Sequence, residues 1–393
     1  MKKTEDETEP LPRDIEHAGW WEAVDRARRV AAENATDVDR GARFPKEAVD
    51  ALRQDRLLAA AVPVRSGGRG MDLSELVRVA ELLARGCGSA AMVWAMHQIQ
   101  MACLVRHHPE SPLLPRAVEE QWLIASVTSE VGTGGDLRSS AAGVASTAGS
   151  PGEEASLLKQ GTTVSYGEHA QGYLITARRE AEADRGNQVA VLVSREQVNL
   201  VRTGGWNTLG MRGTCSPSFD LDTSFEYDQI LPAPFGDIAA HTMTPFSHVL
   251  WAGVWVGLAT EAFQRAVALS RKRSRGGAVT AHPSLALAHT ELMGARGRLT
   301  AAVSDIQPVL ERGAEPTVSS GAELNALKVG ISKSVGEVVR LSMEVCGMAG
   351  FSEDGPHSVA RILRDVHSAP LMIGNTRLLA TNSQLLLTLR GDR

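Results

Sequence analysis

The sequence predicts an α+β protein in which a strand-rich central domain lies between two helix-rich domains. Two changes of residue pattern along the 393 residues lead to this prediction. Apolar residues at helical spacing come first, short alternating or β-branched segments follow, and helical spacing then returns. The predicted N-terminal helical, central β and C-terminal helical domains cover three ranges: 1–122, 123–235 and 236–393.

The N-terminal domain is predicted to be a series of helices joined by short turns. Residues 1–14 are polar and are expected to form a flexible tail. Pro45 favours the start of a helix, because the first helical position needs no backbone N–H. A mostly apolar helical hairpin is expected over 74–106, with Asp72 or Ser74 as its cap.

The central domain is predicted to contain short strands separated by Gly, Asp and Asn. Four segments show this pattern: 123–128, 172–177, 189–194 and 218–226. Residues 139–158 are rich in Ser, Ala, Gly and Glu and are predicted to form a mobile surface excursion. The C-terminal domain is predicted to contain three or four long helices: roughly 245–274, 283–312, 320–347 and 357–390.

The composition excludes several classes of protein. The net charge is −5 and the sequence pI is near 6.1, so nucleic acid is not the expected partner. No signal peptide and no membrane span is readable, and we expect a cytoplasmic protein. The four cysteines have no CxxC spacing, and no metal is expected. Trp is unusually frequent among the aromatic residues, with seven Trp, seven Phe and three Tyr.

No common nucleotide or hydrolase motif is present, since GxGxxG, GxxxxGK[ST], HExxH and GxSxG are all missing. Four other segments have compositions that suggest ligand contact. They are the glycine-rich Val127–Asp136, Trp206–Ser216, the basic Arg271–Gly277, and Cys346–Phe351 followed by Arg364-Asp365. Glycines such as those at 132, 134 and 135 let a backbone approach a ligand closely.

These segments, in this order and spacing, resemble the acyl-CoA dehydrogenase superfamily from about residue 18 to the C-terminus. Ser129-Glu130 to Gly135-Asp136 resembles its Thr-Glu-Pro…Gly-Ser-Asp loop, and Leu209–Ser216 is similar to its β-domain motif. Arg273–Gly277 resembles the Arg-x-x-Phe-Gly turn, and Glu344–Phe351 resembles Gln-x-x-Gly-Gly-x-Gly. The resemblance implies a barrel-like central β domain and a C-terminal four-helix bundle.

The resemblance also implies FAD between the β domain and the bundle, in a homodimer or homotetramer. Carried over by motif, the cofactor-binding residues would be Thr128, Ser129, Gly134, Gly135, Arg273, Gly347 and Asn375. Arg273 would reach the diphosphate of a neighbouring subunit's FAD. Three positions depart from the family pattern. Glu344 and Met348 replace Gln and Gly, and residues 161–167 lack the family's Trp.

The catalytic base of the family is missing from its expected positions. Family dehydrogenases remove a proton from the α-carbon of a thioester with a glutamate, which here would be Ile373 or, on an earlier helix, Phe246. His97 and His367 are the predicted replacements, because histidine titrates near neutrality. Weaker candidates are His248, Asp365 and Glu130.

Three functions follow from the resemblance. The first is α,β-desaturation of an acyl thioester presented by CoA or by an acyl carrier protein. The second is monooxygenation by the two-component branch of the superfamily, which takes reduced flavin from a separate reductase, uses O2 and needs no base at the α-carbon. The third is a flavin- or acyl-binding paralogue without catalysis. Desaturation is the first expectation and monooxygenation is the alternative, which the missing glutamate and the retained His97 fit.

Overall fold

The N-terminal part of the chain is helical, as predicted. The computed structural model describes residues 13–146, 152–275 and 282–389. Five helices precede the sheets: α1 (Arg13–Gly41), α2 (Lys46–Gln54), α3 (Leu73–Gly86), α4 (Gly88–His107) and α5 (Leu114–Glu119). The predicted tail 1–14 lies outside the described residues except for its last two positions.

The start of α3 shows why the predicted hairpin forms. The Asp72 side chain accepts the Glu75 N–H, and the Glu75 side chain accepts the Asp72 N–H, which makes a capping box. Pro45 lies one residue before α2. A Cβ at Gly86 would lie 2.4 Å from the Arg28 carbonyl oxygen, so glycine permits the close approach of α1 and α3.

The central region contains two sheets. Seven strands contribute: β1 (Ile124–Val127), β2 (Ala145–Ser146), β3 (Glu154–Gly161), β4 (Gly172–Arg178), β5 (Gln188–Ser194), β6 (Val198–Arg202) and β7 (Phe219–Glu226). One sheet has the order β1-β4-β5, with β1 parallel to β4, and the other is antiparallel with the order β2-β3-β7-β6. The two sheets are joined where Lys159 Nζ of β3 donates to the Thr176 carbonyl of β4 (2.5 Å).

The predicted surface excursion over 139–158 is wrong for the residues that the structure describes there. β2 and the first part of β3 lie within it, and residues 147–151 fall outside the described ranges. In β3, exposed Glu154 alternates with buried Ala155 and Leu157. Because this segment is rich in polar and small residues, its composition gives no sign of the two-residue alternation that is typical of a strand.

The C-terminal part is a helical bundle. Its helices are α6 (Phe235–Ile238), α7 (Thr244–Arg275), α8 (Pro283–Arg312), α9 (Val318–Cys346), α10 (Met348–Phe351), α11 (Ala360–Val366) and α12 (Asn375–Thr388). A π-helical turn, Ala239–Met243, leads into α7. The buried helix α7 packs against α3, α4, α8 and α9, so it joins the N-terminal helices to the bundle.

One long helix predicted over 357–390 is instead two helices, α11 and α12, separated by a turn. Pro370 lies in that turn and lacks a backbone N–H, and Ile373 has a positive φ of 50°. The described architecture is therefore the predicted α+β arrangement of helical, sheet and helical regions. Within the described ranges, no helix is long and apolar enough to cross a membrane.

Candidate functional site

A large cavity lies between the central sheets and the C-terminal helices, with a volume of about 1330 Å³. Loops after β1 and β3 form one side, and α4, α7, α8, α9 and α12 form the other. Much of the helical wall is apolar: Ala301, Ala302, Ile306, Val309, Leu310, Leu324 and Leu327. Small-molecule sites commonly occupy about 300–1000 Å³. This cavity therefore has room for a cofactor together with a substrate.

Three predicted cofactor contacts line this cavity on the loop after β1: Thr128, Ser129 and Gly135. The glycines of this loop, Gly132, Gly134 and Gly135, have positive φ angles of 83°, 60° and 75°. That conformation favours glycine. The Ser129 hydroxyl donates to the Thr163 carbonyl (2.9 Å) and accepts from the Thr163 N–H (3.1 Å). The two loops on this side of the cavity are thus held together and present hydroxyl and main-chain groups.

Arg377 of α12 connects the C-terminal helices to the glycine-rich loop. Its guanidinium donates to the carbonyls of Gly134 and Gly135, and its side chain lines the cavity. A cation therefore lies beside the loop at the cavity wall.

Glu130 anchors the glycine-rich loop. Its carboxylate accepts from the Ser140 hydroxyl (2.6 Å) and the Ala142 N–H (2.6 Å), and it lies 3.5 Å from Lys159 Nζ. Burial alone would raise the pKa of the Glu130 carboxyl, but the Ser140 hydrogen bond and the Lys159 charge hold it below its usual value. Burial lowers the pKa of Lys159 to about 8. This buried pair fixes the loop and does not line the cavity.

His97 is fully buried on α4, and both ring nitrogens bind the main chain. Nε2 lies 2.7 Å from the Leu58 carbonyl, and Nδ1 accepts the Ile124 N–H at 3.0 Å. Burial lowers the pKa of His97 to about 4, so the ring is neutral. His97 is not among the cavity-lining residues. A catalytic role for His97 stays a prediction, and this geometry does not support it.

Three further predicted residues lie away from the cavity. His367 is exposed at the end of α11 and is not in the cavity wall. Arg273 donates to the carbonyls of Val345 (2.8 Å) and Cys346 (3.1 Å), next to Gly347. The structure therefore brings Arg273 and Gly347 together at the end of α9. Gly276 and Gly277 of the basic segment lie outside the described residues.

The expected position of the catalytic base is apolar. Ile373 lines the cavity, whereas Phe246 is buried and is not in the wall. The Ile373 carbonyl accepts a hydrogen bond from the buried Lys328 Nζ (2.8 Å), which also donates to Asn375 Oδ1 (2.9 Å). A β-branched residue at positive φ is strained, and such a conformation persists where the surroundings fix it. Lys328 fixes this turn, and Asn375 belongs to the same buried network.

Three residues that line the cavity are not among the main site residues predicted from the sequence: His248, Gln100 and Trp251. His248 is only a weaker candidate there, and the other two are not predicted. Each has a buried polar side-chain atom without a hydrogen-bond partner among the described residues. The spacing of His248 and Trp251 on α7 was the available signal, because residues three apart share a helix face. Nothing in the sequence marks Gln100.

Asp365 and the Leu209–Ser216 motif join the domains. Asp365 Oδ1 accepts the Met211 N–H at 2.6 Å, and burial raises the pKa of Asp365 to about 6. Arg364 forms a bidentate ion pair with Asp39 of α1 (2.9 and 2.7 Å). The motif resembling the family's β-domain segment therefore docks onto α1 and α11. In the described ranges no group of His, Cys, Asp and Glu could hold a metal ion.

Comparisons with known proteins agree with this architecture. The family model described as acyl-CoA dehydrogenase, N-terminal domain, matches residues 22–111, and that for the C-terminal domain matches residues 239–382. Cyclohex-1-ene-1-carbonyl-CoA dehydrogenase of Syntrophus aciditrophicus is 25% identical over 90% of this chain and 84% of its own. Amino sugar nitrososynthase RubN8 of Streptomyces rubradiris is 26% identical over 88% of this chain and 83% of its own.

A solved structure shows the same fold. The complex of TdsC from Paenibacillus sp. A11-2 with FMN and indole has a TM-score of 0.82 at 20% identity, covering 94% of this chain and 97% of TdsC. TdsC is described as a dibenzothiophene monooxygenase. Two family models, one at each end of the chain, match in the predicted order. The chain belongs to the acyl-CoA dehydrogenase family and is a flavin-dependent oxidoreductase.

Proposed function

We propose that this enzyme is a flavin-dependent monooxygenase that acts on a small, mainly apolar substrate with reduced flavin from a separate reductase. One observation carries the proposal: the cavity wall has an isoleucine where a dehydrogenase needs a base. The cavity-lining carboxylates in the described residues are Asp136, Asp305 and Glu323, and all three side chains are exposed. Exposed carboxylates are hydrated, whereas removal of an α-proton requires a base that is positioned against the substrate and shielded from water.

Neither His97 nor His248 is suited to supply the missing base. His97 is bound to the main chain at both nitrogens. His248 lines the cavity, but burial lowers its pKa to about 4, which makes the neutral ring a weak proton acceptor. Oxygen transfer to a substrate needs no base at an α-carbon, so a cavity wall without such a base is compatible with monooxygenation. The likeness to a nitrososynthase and to TdsC, both over most of the chain, supports this choice.

The cofactor fits the glycine-rich side of the cavity. Thr128, Ser129 and Gly135 would hold the flavin ring from this side, where positive-φ glycines leave space for close approach. When bound, the reduced flavin supplies the electrons that activate dioxygen. The apolar helical wall would exclude water and orient the substrate. We predict FAD as the cofactor, with Arg273 and Gly347 of a second subunit near its diphosphate. FMN, which is present in the TdsC complex, is the alternative cofactor.

The test compares two assays of the purified protein. With a flavin reductase, NADH and either FAD or FMN, we expect O2 consumption in excess of peroxide release only when an apolar substrate is present. In the second assay, acyl-CoA thioesters are added anaerobically to the flavin-loaded protein, and we expect no bleaching of flavin absorbance. Bleaching by a thioester would contradict the proposal.

Desaturation of an acyl thioester is the second candidate. The likeness to cyclohex-1-ene-1-carbonyl-CoA dehydrogenase favours it, and a CoA or carrier-protein thioester would then be the substrate. Ile373→Glu would place a carboxylate at the cavity wall. If desaturation is an ancestral capacity of this site, the variant should catalyse exchange of the α-proton of a thioester with D2O, and wild type should not. Exchange by the wild-type protein would favour desaturation over monooxygenation.

A further inference from the structure

Two residues that line the cavity each have a buried hydrogen-bond acceptor without a partner among the residues that the structure describes. These acceptors are Nε2 of His248 and Oε1 of Gln100, and both side chains are almost fully buried, at 1% and 3% exposure. The indole Nε1 of Trp251, a donor, is also unpartnered and lies one helical turn from His248 on α7. Buried polar groups are rarely left unpaired in native proteins, so these atoms point to a ligand or an ordered water.

The hydrogen bond made by the second polar atom of each side chain shows that the unpartnered atom is an acceptor. His248 Nδ1 lies 2.9 Å from the Thr244 carbonyl, which can only accept, so Nδ1 carries the proton. The ring is neutral, because burial lowers the pKa of His248. Nε2 is therefore an acceptor. Gln100 Nε2 donates to the Met96 carbonyl at 3.2 Å, which leaves Oε1 as a second acceptor.

The position of these groups separates them from the cofactor side. Thr128, Ser129 and Gly135, the proposed flavin contacts, lie on the loop after β1. His248 and Gln100 lie on α7 and α4, in the helical part of the wall. Their neighbours Met96 and Ile99 are apolar and also line the cavity. A ligand held here meets isolated polar atoms in an apolar wall.

We infer that His248 and Gln100 recognise a hydrogen-bond donor on the substrate, so that the substrate is a mainly apolar molecule with an uncharged N–H or O–H group. This inference rests on the proposed function only in assigning the helical side of the cavity to substrate. Trp251 Nε1 would donate to a lone pair of the same group, as a hydroxyl or neutral amine allows. Loss of such a donor leaves buried acceptors unpaired, which is how a polar site rejects an apolar analogue.

The test is calorimetric binding of two probes of matched shape, indole and benzofuran, to the protein loaded with oxidised flavin. Indole has an N–H donor, and benzofuran has an oxygen in its place. The measured quantity is the ratio of their dissociation constants, benzofuran over indole. We expect His248→Phe to lower this ratio about 3- to 10-fold, the value of one hydrogen bond. His248→Gln, which keeps an acceptor, should retain part of the preference.

His241→Phe is the matched control. His241 also lines the cavity, but its nitrogens lie 2.8 Å from the Asp237 carbonyl and 2.9 Å from the Glu315 carboxylate. Its replacement should leave the ratio unchanged. If His248→Phe does not fold, as judged by circular dichroism, Gln100→Met tests the second acceptor in the same way.

Three outcomes would overturn the inference: an unchanged ratio in the folded variants, failure of both probes to bind wild type at millimolar concentration, or weaker flavin binding by His248→Phe with no change of ratio. The last outcome would make His248 a flavin contact. No turnover, reductase or oxygen enters this assay, so its result is independent of whether the enzyme is a monooxygenase.

Discussion

At the scale of single residues, hydrogen bonding distinguishes the histidines of this enzyme. His97 binds main-chain groups of Leu58 and Ile124 through its two nitrogens, and so joins α4 to the entry of β1. His248 uses only Nδ1 within the described protein, and it is one of the residues that line the cavity. Both rings are neutral and buried. Of these two, His248 alone has a ring nitrogen without a hydrogen-bond partner among the described residues.

We expect His97→Asn to lower the free energy of unfolding and to leave turnover per folded molecule unchanged. The shorter side chain cannot satisfy both the Leu58 carbonyl and the Ile124 N–H, and one unpaired buried group costs about 1–3 kcal/mol. Urea unfolding and a steady-state assay would measure the two effects. A stable variant with a large loss of kcat would show that His97 takes part in the reaction.

At the scale of elements, the segment from Trp206 to Ser216 connects the central region to the helices on either side of it. The Arg212 guanidinium donates to the Asp39 carbonyl of α1 (2.8 Å), and the Gly213 N–H donates to the Ser89 hydroxyl of α4 (3.2 Å). Gly210 lies against α11, where an added Cβ would be 2.2 Å from the Arg364 carbonyl oxygen. The motif therefore serves assembly of the domains that enclose the cavity.

Gly210→Ala should destabilise the protein by about 3 kcal/mol or more, since backbone on both sides must move to admit a methyl group. Gly205→Ala, one residue before this segment, is the matched control, because nothing lies within 4 Å of its added Cβ. Thermal unfolding of both variants would measure the difference. Equal melting temperatures for the two would contradict the docking role.

At the scale of the whole molecule, buried histidines make the fold sensitive to acid. Burial lowers the pKa values of His97 and His248 to about 4 from an ordinary value of 6.5. Between these values the unfolded chain binds protons that the folded protein does not, so stability falls as pH decreases from 6.5 towards 4. Asp365 opposes this trend, because burial raises its pKa to about 6 and the folded state takes up its proton first.

We therefore expect His248→Phe to reduce the loss of unfolding free energy between pH 6.5 and 4, since that variant removes one proton-binding group of the unfolded state. Denaturant unfolding at several pH values would measure the slopes of wild type and variant. A steeper slope in His248→Phe would show that the sign of its contribution is wrong.

Exposed apolar residues in and next to α12 suggest that subunits associate through this surface. Leu386 and Leu387 are 62% and 89% exposed, and Leu371 in the preceding turn is 76% exposed. Large exposed apolar patches commonly mark protein interfaces. We predict a homodimer or homotetramer, and light scattering after size exclusion should give at least twice the chain mass of 42.0 kDa. Leu387→Glu should shift the equilibrium towards monomer, and a monomeric wild-type protein would contradict the prediction.

Local patterns were enough to predict much of the fold. The apolar spacing of α3, α4, α7 and α9 and the alternation of β7 are properties of neighbouring residues, and each element forms where its pattern lies. Strand β3 was not predicted from the sequence, because its buried face includes Ala155 and a lysine, Lys159. The charge of Lys159 is compensated by Glu130, which comes from another loop. Such compensation depends on residues far apart in sequence and leaves no local signal.

By itself the sequence determined the class of fold, the glycine-rich loop with its Ser129 and the absence of a carboxylate at Ile373, because residue identity and spacing fix these properties. Only the tertiary structure decided which of two buried histidines keeps a ring nitrogen without a partner among the described residues. His97 and His248 both look like neutral-range acids or bases in the sequence, but the main chain satisfies one and leaves Nε2 of the other unpaired beside the cavity. Hydrogen-bond satisfaction is a property of the packed chain, because the partners are supplied by other elements.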